Sequence, residues 1–182
     1  KNEAHISDDE ILNCVRYHHG MYLKNASLAE DDKAYVVYYA DNVAAFSDRR
    51  EAEAGEGGFD KAMPLESVFN ILNGNHGQSH YAMQVLNPKN GINYPTEDEI
   101  SMDEHFYQSV IQNITDNLKG ITLDEEYINS LLAVLEANLT YIPSSTSKKE
   151  LADISLYDHM KMTAAVASCV MQFLTAKGEK NY

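Results

Sequence analysis

Asp41 is a carboxylate in the middle of an apolar helix face. The segment Ala34–Glu51 has the periodicity of a helix, and on a 3.6-residue repeat Asp41 shares a face with Val37, Ala40 and Ala44. Burying an ionised carboxylate costs several kcal/mol unless a hydrogen bond, a cation or a metal ion compensates the charge. Two explanations therefore stand: a structural acid that accepts hydrogen bonds from a tyrosine or an arginine, and a metal ligand.

Two histidines lie on the inward faces of other predicted helices. His18 continues the apolar stripe of the first helix, whereas His19 lies about 100° around the same helix. His159 lies on the apolar face of the predicted helix Leu156–Lys177. A single inward histidine is also explained as a satisfied core residue. Together with Asp41, however, the two histidines form a mixed imidazole and carboxylate set that is typical of hydrolytic divalent-metal sites, and we expect His18 and Asp41 to face one cleft.

Composition and missing motifs exclude several classes of protein. With 182 residues, 44% hydrophobic content and a formal net charge of −14, the chain can bury a core but has no general basic surface for nucleic acid. No apolar run spans a membrane, and Cys14 and Cys169 have no nearby cysteine, so we expect buried free thiols in the cytoplasm. The sequence contains no HExxH, GxxxxGK or GxSxG motif, which leaves zincins, P-loop enzymes and serine hydrolases unsupported.

The elements that must position these residues are mostly helical. Capping patterns and apolar periodicity predict helices, while two short β-branched and aromatic runs around a glycine-containing loop predict a hairpin. The acidic, glycine-rich stretch Glu53–Gly58 indicates a boundary. The predicted helices are Asp8–His19, Ala34–Glu51, Ser101–Lys119, Asp124–Tyr141 and Leu156–Lys177, and the predicted strands are Ser67–Leu72 and His80–Leu86.

Short motifs around the three candidate ligands resemble one known family. They are Arg16–His18 (RYH), Tyr39–Ala44 (YADNVA) followed by Asp48–Arg50 (DRR), and Asp153–Ala165 (DISLYDHMKMTAA). In this order and at these separations they resemble the N-terminal region of the large subunit of type III-A CRISPR-Cas effector complexes. The resemblance extends through nearly the whole chain and includes Ile142–Thr146 (IPSST).

The resemblance implies a mainly α fold: part of a circularly permuted HD-type domain with a small β-hairpin insertion. Residues 1–52 would be the later part of the HD-like helical domain, 59–95 the hairpin and loops, and 96–182 a helical region whose last helix packs back on the HD-like core. The sequence contains no His-Asp dipeptide and no Gly-Gly-Asp-Asp motif. We therefore expect a portion of a longer protein, with the His-Asp pair upstream of Lys1, weak metal affinity and no nuclease activity in isolation.

The implied activity is metal-dependent cleavage of single-stranded DNA. In this family later palm domains, absent from this sequence, make cyclic oligoadenylates from ATP. The resemblance assigns His18, Asp41 and His159 as ligands of manganese, nickel or magnesium. Arg49 and Arg50 would hold a substrate phosphate, although a solvated helix end, where cations complement the helix dipole, is the stronger explanation for them. No catalytic residue and no residue binding an organic cofactor is assigned in this chain.

The implied partners are the other subunits of the effector ribonucleoprotein with its CRISPR RNA, and single-stranded DNA as substrate; no membrane is implied. A different class of function also stands. The acidic surface suits a non-catalytic structural module that docks other effector subunits, with the candidate ligands retained only as core residues. A free-standing HD-like phosphohydrolase would need its whole ligand set within this chain, and the His-Asp pair is missing.

Overall fold

The computed structural model describes residues 8–48, 57–100, 105–121 and 125–182. These residues form a mainly α fold with one small antiparallel pair of strands, which confirms the predicted fold class. No helix among them has the length and apolar content needed to cross a membrane. The helices are α1 (Asp9–Tyr17), α2 (Gly20–Leu23), α3 (Ala34–Asp48), α4 (Phe106–Leu118), α5 (Glu125–Leu139) and α6 (Leu156–Lys177), and the strands are β1 (Leu65–Glu66) and β2 (His80–Tyr81).

The chain divides into two compact units. One, the terminal unit, combines Lys1–Asp48 with His159–Tyr182, and the other, the central unit, is Arg49–Asp158. The terminal unit is therefore built from both ends of the sequence. A backbone hydrogen bond from the Tyr182 amide to the Glu30 carbonyl oxygen, at 2.9 Å, joins its two segments.

Helix α1 is capped by Asp8, whose carboxylate accepts hydrogen bonds from the amides of Glu10 (2.9 Å) and Ile11 (3.3 Å). An acceptor at this position satisfies amides that have no partner within the helix. The predicted cap at Ser7 lies outside the described residues. Helix α1 ends at Tyr17, two residues before the end of the predicted helix Asp8–His19.

Helix α3 packs against α1 through Asp32, which precedes it. One Asp32 oxygen accepts from the Ala34 amide at 2.9 Å and the other from the Asn13 side chain of α1 at 2.8 Å. Ala34, Ala40 and Ala44 are fully buried. Because alanine is small, these positions let neighbouring helices approach the α3 backbone closely.

The hairpin is much shorter than predicted. The strand predicted at Ser67–Leu72 is wrong, because Val68–Asn70 and Leu72–Gly74 form 3-10 turns, and only the first two residues of His80–Leu86 pair as a strand. Side chains cause this outcome. Asn70 both donates to the Ser79 carbonyl (2.8 Å) and accepts from the Ser79 amide (3.0 Å), so a side chain replaces the backbone ladder.

Helices α4 and α5 pack together in the central unit around Val110, Leu139, Ile142 and Tyr157. Apolar periodicity predicts that the buried face of α5 consists of Ile128, Leu131, Leu132, Leu135 and Leu139. This prediction is partly wrong. Ile128 is 59% exposed and Leu132 is 41% exposed, whereas Tyr127 is only 4% exposed. The buried face therefore begins one residue earlier than apolar periodicity suggested, because tyrosine was not counted as a core residue.

Helix α6 begins with a reciprocal cap. The Ser155 hydroxyl donates to the Asp158 carboxylate at 2.8 Å and accepts from the Asp158 amide at 3.0 Å. The Leu156 amide also donates to the Ile142 carbonyl oxygen at 2.7 Å. These bonds fix the first turn, and the helix continues to Lys177 as predicted. His159 thus follows directly from a well-defined helix start.

Candidate functional site

The structure brings two of the three predicted ligands together in the terminal unit. His159 Nε2–H donates to Asp41 Oδ1 at 3.1 Å, joining α6 to α3 across 118 residues of sequence. The His159 side chain is 13% exposed and the Asp41 side chain 19% exposed. Both helices therefore present their polar ligand candidate on a mostly buried face, as periodicity predicted.

The surroundings of Asp41 favour its ionised form. The pKa of the Asp41 carboxyl lies below its ordinary value, chiefly because it accepts the hydrogen bond from His159, with smaller contributions from the positive charge of His159, His18 and His19. Burial opposes this shift by raising the pKa, but the lowering effects prevail. Asp41 is consequently a carboxylate anion at neutral pH, surrounded by imidazoles.

His18 lies at the end of α1, where its ring orientation is fixed by the backbone. Its Nδ1 donates to the Val15 carbonyl oxygen at 2.7 Å. A neutral imidazole that donates from Nδ1 carries its lone pair on Nε2, which is the arrangement usual for metal-ligating histidines. The His18 ring also lies 4.0 Å from the His19 ring, measured between centroids. His18 is half-buried and His19 exposed, so of this pair His18 faces inward.

Close packing holds the two histidines near α3. A Cβ atom added at Gly20 would lie 3.2 Å from the Tyr38 ring, so only a residue without a side chain fits without displacing that ring. Tyr38 lies three residues before Asp41, on the same side of α3. This contact brings the chain after His19 against the helix face that carries Asp41, which explains why both histidines act on the pKa of that carboxyl.

The Asp41–His159 geometry suits part of a metal coordination shell. Ligands at about 2.1 Å from an octahedral divalent ion are separated along each edge by about 3.0 Å, close to the 3.1 Å between these two atoms. Imidazole together with carboxylate is the donor set of first-row divalent ions such as manganese and nickel. Within the described ranges no three histidine, cysteine or carboxylate side chains gather into a metal-binding group.

Thr163 is a polar residue at this site whose hydroxyl the sequence reasoning overlooked. It lies one helical turn after His159 on the same face of α6. Its hydroxyl oxygen is buried and has no hydrogen-bond partner among the described residues. Helical threonines often donate to the carbonyl four residues earlier, and this one does not. The sequence signal for it is a hydroxyl-bearing residue at i+4 from an inward histidine.

The remaining candidates contribute less to the described structure. Arg49 and Arg50, the predicted phosphate contacts, lie outside the described residues. Both cysteines are free thiols, as predicted. The expectation that both are buried is wrong for Cys169, which is exposed on α6. Burial, followed by the negative charges of Asp32 and Glu10, raises the pKa of the half-buried Cys14 thiol.

The fold and the site define a class: a helical domain with a mostly buried imidazole–carboxylate pair between two helices. No protein-family model matches the sequence. Two curated proteins, however, are similar to the chain over most of its length. The chain is 35% identical over 185 residues to a Mycobacterium tuberculosis protein and 37% identical over 180 residues to one from Enterococcus italicus, covering 97% and 94% of this chain. Both relatives are named CRISPR system single-strand-specific deoxyribonuclease Cas10/Csm1 of subtype III-A.

Solved structures point to the same family. A Csm1–Csm4 cassette in complex with one ATP shares 29% identity and a TM-score of 0.56 over 87% of this chain and 19% of that one. Csm1 of T. onnurineus shares 30% identity and a TM-score of 0.53 over 74% of this chain and 16% of that one. The chain belongs to the Cas10/Csm1 family of type III-A CRISPR systems. It spans 22% and 24% of the length of the two curated relatives.

Proposed function

We propose that this chain is part of the HD-type, metal-dependent single-stranded DNA nuclease region of a type III-A CRISPR large subunit. The observation that carries the proposal is the Asp41–His159 pair, a mostly buried anion and imidazole joined between helices at 3.1 Å. The relatives' name, single-strand-specific deoxyribonuclease, supports it. The proposed metal is manganese, nickel or magnesium.

Each ligand has a distinct contribution to such a site. A divalent metal, when bound, supplies Lewis-acid stabilisation of a phosphodiester and lowers the pKa of a water toward neutrality. Asp41 and His159 would hold it. The resemblance adds His18 as a third ligand, although the described structure does not gather the three into a metal-binding group. Asp41 contributes the negative charge, and its lowered pKa keeps that charge at neutral pH. His159 can bind a metal only through a ring nitrogen that carries no proton, so metal binding through Nε2 excludes the Nε2–H hydrogen bond to Asp41.

Other proposed contacts lie beyond the described site. Arg49 and Arg50 would hold a flanking phosphate by bidentate hydrogen bonds. ATP and cyclic oligoadenylate synthesis would belong to palm domains in the rest of a longer protein, not to this chain. Other effector subunits carrying the CRISPR RNA are the proposed partners, by analogy with the relatives solved as Csm1–Csm4 cassettes. We place the assembly in the cytoplasm.

The experiment that tests this proposal uses a full-length Cas10/Csm1 protein containing this chain. We expect Asp41→Asn to abolish manganese- or nickel-dependent cleavage of single-stranded DNA while leaving oligoadenylate synthesis unchanged. The matched control is Asp116→Asn, which makes the same chemical change at an exposed position of α4. Equal loss of both activities would indicate misfolding, and unchanged cleavage would refute the role of Asp41.

A second candidate function is a non-catalytic module that docks other effector subunits. The formal net charge of −14 favours it, as does the 90% exposure of Phe46 on α3, because an exposed aromatic residue within an acidic surface suits a binding face. The same full-length protein separates the two candidates. If the Asp41→Asn protein assembles normally but does not cleave DNA, the result supports the nuclease. If the Phe46→Ser protein still cleaves DNA but does not assemble with the other subunits, the result supports the docking module.

A further inference from the structure

The central unit contains a concave site beside its two strands. The cavity has a volume of about 350 Å³, within the range of about 300 to 1,000 Å³ that is usual for ligand sites. Its lining consists of Met63, Pro64, Glu66, Gly77, Gln78 and His80. All of these residues belong to the central unit, so this cavity is separate from the Asp41–His159 pair.

Glu66 and His80 lie directly opposite each other on the two strands. The Glu66 amide donates to the Ala152 carbonyl oxygen (2.8 Å) and the His80 amide to the Thr96 carbonyl oxygen (2.9 Å), not to each other. They are thus a non-hydrogen-bonded cross-strand pair, in which side chains come closest, at about 4.5 to 5.5 Å between Cβ atoms. Both side chains therefore share one face of the strand pair and line one wall.

The rim of the cavity is fixed by the same bonds that shortened the hairpin. Asn70 is 6% exposed and holds both backbone polar groups of Ser79. Gly77 lies so close to Asn70 that an added Cβ atom would be 3.0 Å from its side-chain oxygen. The loop from Gly77 to Ser79 is consequently pre-organised, which lowers the entropic cost of binding.

Glu66 is the polar group that the cavity offers to a ligand. The two ring nitrogens of His80 already lie 2.9 Å and 3.3 Å from the carbonyl oxygens of Asp98 and Gln78. For Glu66, by contrast, the part of the chain that the structure describes supplies no hydrogen-bond donor to the carboxylate. Burial first, and then the negative charge of Asp153, raises the pKa of the Glu66 carboxyl, while His80 lowers it. A cation entering the cavity would offset the negative charge of Asp153 and favour the ionised form of Glu66.

We propose that this cavity receives a basic side chain, lysine or arginine, of a partner polypeptide. Its ammonium or guanidinium group contacts the Glu66 carboxylate, and its aliphatic stem lies along Met63 and Pro64. A polypeptide side chain fits better than a free metabolite, because the lining offers a single carboxylate as a charged anchor and a polypeptide is also held by contacts outside the cavity. The net charge of −14 attracts a basic partner over longer distances.

The test is a chemical-shift titration of the whole ¹⁵N-labelled chain with Nα-acetyl-arginine methylamide and Nα-acetyl-lysine methylamide. We expect saturable shifts of the Gly77, Gln78 and His80 amides with both cationic probes and none with the uncharged norleucine analogue. Equal shifts with the norleucine analogue would show an apolar cavity without cation preference and would overturn the proposal.

Variants make the same test specific for the carboxylate. Glu66→Gln should weaken binding at least tenfold, while Glu136→Gln, the same change at an exposed residue of α5, should leave it unchanged. Unchanged affinity of Glu66→Gln refutes the proposal. If Glu66→Gln does not fold, Glu66→Asp is the alternative, because it keeps the negative charge but shortens the side chain by one methylene. Reduced affinity of Glu66→Asp for the cationic probes supports the proposal, and unchanged affinity contradicts it.

Discussion

The coupling between Asp41 and His159 can be measured directly by a double-mutant cycle with Asp41→Asn and His159→Gln. Because both side chains are less than one-fifth exposed, the hydrogen bond between them is shielded from water. A bond to a charged group in such a place contributes about 1.5 to 3 kcal/mol. We therefore expect a coupling free energy of about 1.5 to 3 kcal/mol from urea unfolding of the metal-free chain at pH 7, followed by circular dichroism.

The chain provides its own control in a second ion pair of the terminal unit. Lys33 Nζ lies 2.7 Å from Glu10 Oε2, a shorter contact, but the two side chains are 45% and 50% exposed. Solvent screening limits such a pair to about 1 kcal/mol or less. The cycle Glu10→Gln with Lys33→Met should thus give the smaller coupling, despite the shorter distance.

The pH dependence of the Asp41 contribution has a defined sign. Its folded-state pKa is lowered by the hydrogen bond from His159, so its contribution to stability is complete above the unfolded carboxyl pKa of about 3.9. That contribution is lost as the pH falls through the lower, folded-state value. The difference in unfolding free energy between wild type and Asp41→Asn should therefore decline below about pH 4. A coupling below about 0.5 kcal/mol at pH 7, or one no larger than that of the exposed pair, would refute the reasoning.

Three further outcomes follow from the same geometry. Manganese should raise the thermal midpoint of the wild-type chain but not of Asp41→Asn, as calorimetry will measure. Thr163→Val, which removes a buried hydroxyl without a described partner, should stabilise the metal-free chain by about 1 kcal/mol in urea unfolding, and a loss of stability would mean that the hydroxyl has a partner. Asp32→Ala should cost about 1 to 2 kcal/mol in the same assay, because it removes an acceptor shared by α3 and α1; an unchanged midpoint would show that water replaces both bonds.

Sequence periodicity predicted the long elements well because each helix has one apolar side. It located α3 and α6 and placed Asp41 and His159 on their inward faces. What it could not supply was the distance between two residues on different helices. That distance depends on how closely α3 and α6 approach, which is a tertiary property.

The hairpin, unlike the helices, was predicted poorly from the sequence. Apolar and β-branched residues at Ser67–Leu72 favour a strand, but one buried asparagine, Asn70, holds Ser79 through two side-chain bonds and produces turns instead. Such a competition between a side chain and the backbone ladder is invisible to a hydrophobic pattern. The shift of the α5 face toward Tyr127 has a similar origin, because a tyrosine can bury its ring wherever the surrounding packing accepts it.

The terminal unit also has a consequence for protein synthesis. Since it combines Lys1–Asp48 with His159–Tyr182, the site cannot be completed before His159 has been synthesised. Asp41 and His159 are separated by 118 residues, and at translation rates of about 5 to 20 residues per second Asp41 is synthesised roughly 6 to 24 s before His159. During that interval the nascent chain carries its carboxylate without the imidazole that later pairs with it, while the central unit already has the residues it needs to fold.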